Sequence, residues 1–174
     1  MAIFLLLFAT FSLFALPFNI GVDARSLDFT FTDGVRVDAE VGLKVKTIQL
    51  IIPLRYGKSN SKDISLVETG LLIDVWPFEG LGLFAEASIF KVGYMWGLYT
   101  PSEKIFFSAE GSVGWEFVFG PVYLRPMYTV RSSFSAEDTK EERIRSIPQF
   151  GESRLSVHIG VLLGGKNDEK NSSV

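Results

Sequence analysis

Cysteine is absent from this 174-residue chain. No disulfide, thiolate metal ligand, thiol nucleophile or cysteine-linked lipid anchor is therefore open to it. Histidine is scarce, with a single copy, His158. An excess of one charge is also missing. Seventeen basic and twenty acidic residues leave a net charge of −3, which gives no whole-chain attraction to nucleic acid or to an anionic surface. Beyond the first segment there is no long charge-free run, and 21% of residues are charged. That excludes a bundle of membrane-spanning helices. No cluster has metal-ligand spacing, no glycine-rich phosphate loop opens a helix, and nothing calls for a cofactor. Apolar residues are nevertheless plentiful, at 47% with 16 Phe, and mean hydropathy is +0.26.

The first segment reads as targeting. Ala2 to Leu16 is an uncharged run of about the length of a signal-peptide core. Val22-Asp23-Ala24 offers small residues at −3 and −1 of a cleavage site before Arg25. The alternative is a retained membrane anchor, for which the run is short, since a span needs about 20 residues. The sequence thus divides into a signal peptide (1–24), a barrel domain (25–165) and a polar tail (166–174).

After the leader, segment after segment alternates with period two, as two-faced strands do. Val35, Val37, Ala39, Val41, Leu43 and Val45 point one way; Arg36, Asp38, Glu40, Gly42, Lys44 and Lys46 point the other. On a helix these charges would ring the whole circumference. Leu27, Phe29 and Phe31 alternate likewise in front of this segment. The pattern returns over Ile48–Tyr56, Val67–Val75, Leu81–Leu98, Phe107–Phe119, Val122–Arg131 and Leu155–Leu163, giving eight strands. Near Phe90-Lys91 the phase slips by one residue, as at a β-bulge. The connections after the second, fourth and sixth strands are tight. Those after the third, fifth and seventh are longer and polar, and only the first, Asp33-Gly34, departs from the rule. Short turns at one end and long loops at the other are the pattern of an outer-membrane barrel. The expected fold is all-β: a closed antiparallel up-and-down transmembrane β-barrel of about eight strands.

Alternation alone does not say which face is inside. A secreted or periplasmic lipocalin-like barrel around a small apolar ligand has the same period with the faces exchanged. Three features favour a polar interior. The polar face is rich in Gly and Ser, which suit a crowded eight-strand lumen. Its charges nearly balance, as enclosed charges must. They form an expected lumen network of Arg36, Asp38, Glu40, Lys44, Arg55, Glu68, Asp74, Glu86, Glu110, Glu116, Arg125, Arg131, Arg154 and His158. Finally, large aromatics gather near strand ends. Trp76, Phe78, Phe117 and Phe119 flank the tight turns; Tyr56, Tyr94, Trp96 and Tyr128 lie towards the long loops. Two such girdles mark membrane interfaces.

On this architecture, over Leu27 to Leu163, the chain resembles the small eight-stranded outer-membrane proteins of the OmpX, OmpW and OmpA-barrel kind. Its last strand, Arg154 to Leu163, looks like the closing strand that the assembly machinery recognises, but ends on Leu162-Leu163 where those families end on an aromatic residue. The resemblance implies a non-enzymatic bacterial outer-membrane protein, with the lipid bilayer as its partner. Its role would be structural, surface-interacting or narrowly porin-like, since the OmpW kind is associated with passage of small apolar molecules. Ser156 and His158 share a face, but at i, i+2 they stand roughly 6–7 Å apart, too far for a nucleophile and its base. They read as part of the interior hydrogen-bond network, and Asp38, Glu40 and Glu110 as part of a salt-bridge plug. The charged loop over 132–153 is the distinctive exposed element, either a solvated tether or a contact surface for a host or surface ligand.

Overall fold

The computed structural model describes residues 17–24, 26, 34–60, 63–78, 80–97, 104–133 and 153–164. The strands are β1 (Phe18–Asp23), β2 (Gly34–Val45), β3 (Ile48–Ser59), β4 (Ile64–Val75), β5 (Leu83–Gly97), β6 (Ile105–Trp115), β7 (Phe117–Phe119), β8 (Val122–Ser133) and β9 (Ser153–Leu163). Every pairing is antiparallel. Sequence neighbours pair in turn, and β1 joins β2 on one side and β9 on the other. β6 and β7 both pair with β8, so they form one stave, broken at Glu116. The result is a closed barrel of eight staves.

The first stave differs from the sequence expectation. Leu27 to Thr32 lies outside the described residues. The strand that closes the barrel is β1, within the segment read above as leader. It too alternates, with Asn19, Gly21 and Asp23 inward and Ile20 and Val22 outward. It is short and adjoins the apolar run, so its period was hidden. This placement also lengthens the first connection to residues 24–33, and the one exception to the loop asymmetry disappears. The opposite end keeps the two-residue turns Lys46-Thr47 and Gly120-Pro121. Lys46 and Gly120 take positive φ there, 54° and 62°, which lets a two-residue loop reverse the chain.

Period two decides the layering. Val35, Val37, Val41, Ile52, Leu54, Val113, Val130 and Ile159 are exposed on the outer wall, while Arg36, Asp38, Glu40, Arg55, Glu110 and Arg131 are buried inside. In β5 the register with β4 jumps from Leu71↔Phe90 to Leu72↔Ser88, leaving Ile89 unpaired. Ile89 and Phe90 are both exposed, and the extra residue restores the inward phase at Lys91, Gly93 and Met95. This is the bulge that the phase slip indicated.

Candidate functional site: the charged interior

The interior is built in levels along the barrel axis. At the long-loop end Leu66, Met95 and Phe106 pack into a small apolar cluster. Below it lies the larger ionic level, centred on Arg55. Its guanidinium donates to Asp38 Oδ1 at 3.0 Å, to both oxygens of Glu110 at 2.7 and 3.0 Å, and to Glu68 at 3.4 Å. The planar fork suits this bidentate grip. Lys91 Nζ reaches Glu68 at 2.5 Å and Glu110 at 2.6 Å. Arg131 reaches the same two carboxylates at 2.7 and 3.3 Å. Arg36 spans Asp38 at 3.1 Å and Asp23 at 3.6 Å, and Arg154 approaches Asp38 at 3.4 Å. Five cations thus enclose four carboxylates drawn from four different staves.

The second ionic level faces the short turns and centres on Arg125. It donates to Glu116 at 2.7 Å, Asp74 at 3.2 Å and Gln49 Oε1 at 2.6 Å. Glu116 also accepts from Lys44 at 2.7 Å. Glu40 binds His158 Nδ1 at 2.7 Å and accepts from the Tyr123 hydroxyl at 3.1 Å. Glu86 accepts from Ser112, whose hydroxyl also meets Thr129. This level carries Glu40, Asp74, Glu86 and Glu116 against Arg125, Lys44 and His158. Such mutual pairing is what makes ionised groups tolerable away from water.

The structure puts every residue of the expected lumen network on the inward side, with Lys44 the most open, at the turn-end mouth. Of the expected interface aromatics, Phe78, Tyr94, Trp96, Phe117, Phe119 and Tyr128 are exposed, and Tyr56 is half-exposed on the same outer wall. Trp76 needs correction. It is only 6% exposed and packs inside with Phe84 and Met127. Lys44 Nζ sits 3.7 Å from its ring centroid, a cation–π contact. Val75 points outward, so the next residue points in, and strict alternation already required this. Sequence reading also missed Lys91, Asp23 and Asn19, whereas Gln49 and Tyr123 fall on the polar face that their strands' alternation gives them. The bulge at Ile89 carried the signal for Lys91. Asp23 and Asn19 were hidden in the leader assignment.

Between the Lys46-Thr47 turn and the β4–β5 connection the wall opens into a cavity of about 640 Å³, lined by Lys44, Lys46, Trp76, Phe78, Trp115 and Phe119 among others. Trp76 forms part of its lining and of the packed level beneath it. His158 turns its Nδ1 to Glu40, and Ser156 is buried on the same strand. Among the described residues no group of three or more His, Asp or Glu is placed to hold a metal ion. The loop at 132–153 lies almost wholly outside the described residues. Among known proteins, no family model, no curated protein and no solved structure matches the chain.

Proposed function

We propose that this protein is an integral bacterial outer-membrane β-barrel. Its role is non-enzymatic: structural, surface-interacting through its long loops, or narrowly permeable to small molecules. The observation that carries the reading is the reversed polarity of the wall. Large apolar side chains cover the outside, and paired charges fill the inside. A water-soluble barrel would leave that outer surface against solvent, far beyond the few hundred Å² of contiguous apolar patch usual for a monomer. A lipocalin-like binder needs an apolar interior to hold its ligand, whereas here the central levels are ionic.

Dimensions support the same reading. The staves bounding the barrel run mostly 11 to 15 residues. At about 3.3 Å per residue and a tilt of about 40°, twelve residues rise about 30 Å, the depth of a hydrocarbon core. Resemblance to the small OmpX, OmpW and OmpA-type barrels rests on this architecture.

Cell fractionation with gel migration of heated and unheated samples tests the proposal. The expected protein is found in the outer-membrane fraction, needs detergent for extraction, and migrates faster unheated than boiled. Recovery in the soluble fraction without detergent overturns it.

A further inference from the structure

We infer that the export leader is cut ahead of Pro17, not after Ala24, so that β1 is the first stave of the mature barrel. The inference rests on the export reading above and on the ladder at β1.

That ladder runs along both sides of β1. Phe18 to Val22 pair with β2, from Phe18↔Leu43 to Val22↔Ala39. Phe18 to Asp23 pair with β9, from Phe18↔Leu163 to Asp23↔His158. The pairing extends to the flanks, where Lys44 N donates to Pro17 O at 3.0 Å and Ala24 N donates to Val157 O at 2.8 Å. Inward, Asn19 Oδ1 accepts from Gln49 Nε2 at 2.7 Å, and Asp23 faces Arg36 at 3.6 Å. Gly21 is fitted to its place. A Cβ there would run into the hydroxyl of Tyr123, the same hydroxyl that bonds Glu40.

A cut after Ala24 would remove all of this. The edges of β2 and β9 would then lie open in lipid, where unpaired backbone groups are not tolerated. The alternating stretch Leu27–Thr32 is the substitute strand left in the chain, and register excludes it as an equivalent. With Asp33-Gly34 as a two-residue turn, Thr32 would pair with Val35 and Phe29 would stand opposite Asp38. Residues opposite each other share a face, so Leu27, Phe29 and Phe31 would point into the charged interior. Adding one residue to the turn corrects the facing but sets Ser26 opposite Glu40, where the structure holds glycine. In either register the substitute begins at Arg25, level with Val41 or Gly42. Leu43 and Lys44, and the turn-end half of β9, would lose the partners that β1 and Pro17 give them on that side. A cut ahead of Pro17 avoids every one of these losses, and Ala15 is the small residue nearest to it for the −1 position.

Full-length chain, expressed and recovered from whichever fraction holds it, decides the matter by intact mass and N-terminal sequencing. The expected N-terminus is Leu16 or lies a few residues before it. A start at Arg25, or an uncut chain, overturns the inference whether or not the protein proves to be membrane-bound. Two full-length variants add independent readouts. Ala24→Arg blocks a cut after residue 24 and is expected to leave the mature N-terminus unchanged; a shift of the N-terminus overturns the inference. Gly21→Leu keeps a leader apolar but fills the glycine slot in β1. Loss of most of the compact, fast-migrating form is expected. If the leader ended at Ala24, the substituted residue would be discarded, and a mature protein identical in mass and migration to wild type would refute the assignment.

Discussion

Arg55 of β3 holds carboxylates from β2, β4 and β6, so a single side chain ties four staves across the lumen. Replacing it with methionine of similar length leaves Asp38 and Glu110 buried with fewer cations. Breaking a buried pair from one side costs about 3–5 kcal/mol. Arg55→Met is expected to lose about that much in urea unfolding from lipid vesicles, with Arg55→Lys falling between it and wild type because the charge remains and the fork is lost. A methionine variant as stable as wild type would show that the ionic level does not hold the staves. Glycine 42 tests the inner face by size instead of charge. A Cβ on Gly42 would collide with the amide of Gln49 and with Asn19 Oδ1, and Gln49 also holds Arg125. Gly42→Ala is expected to destabilise by about 1–3 kcal/mol, and Gly42→Arg to prevent folding. Ala39 lies three residues away on the outer wall. On the proposed membrane reading, arginine there is expected to cost about 2–4 kcal/mol near the bilayer midplane. Equal stability of Gly42→Arg and wild type in detergent would contradict the packed interior.

At the scale of elements, what was legible in the sequence followed from how cleanly each strand alternates. β2, with six apolar residues opposite six polar or small ones, could be read directly, and so could β3, β4, β8 and β9. β5 was legible although its period breaks, because the residues beyond Ile89 resume the alternation with opposite parity. β1 was not, since six residues beside a longer apolar run offer too few repeats to stand out from a leader. Trp76 was misplaced for another reason. An expected girdle overrode the local parity that Val75 had already set. The bulge also yields a contrast between deletions. Removing Ile89 takes out the unpaired residue and makes Leu71↔Phe90 and Leu72↔Ser88 parts of one continuous ladder, with Lys91 still inward. That variant is expected to fold and to keep its heat-dependent shift in gel migration. Removing Ile52 from unbulged β3 flips one half of the strand relative to the other and would turn Arg55 onto the outer wall. It is expected to leave no compact form. Equal behaviour of the two deletions would show that the bulge does not set the phase of β5.

Over the whole molecule the interior obstructs the axis at several levels in series. Leu66, Met95 and Phe106 fill the loop end, the Arg55 and Arg125 levels fill the middle, and Trp76, Phe84 and Met127 close the turn end. An eight-strand barrel is only just wide enough for such side chains. Conduction through levels in series is governed by the tightest, so opening one leaves the others in place. Purified protein in planar bilayers is expected to give at most small, infrequent current steps. Trp76→Ala widens the turn-end cavity yet leaves Tyr123 and Arg125 stacked above it, their ring and guanidinium 4.8 Å apart. Phe106→Ala removes one member of the loop-end cluster and leaves the Arg55 level intact. Neither single substitution is expected to create a steady current. Combining both with Arg55→Ala removes a side chain from three levels, and rare steps should become frequent if the variant still folds in the bilayer. A steady, porin-sized current through the wild-type protein would mean that the levels do not obstruct one another in series. A steady current through either single variant would place the whole resistance at that one level.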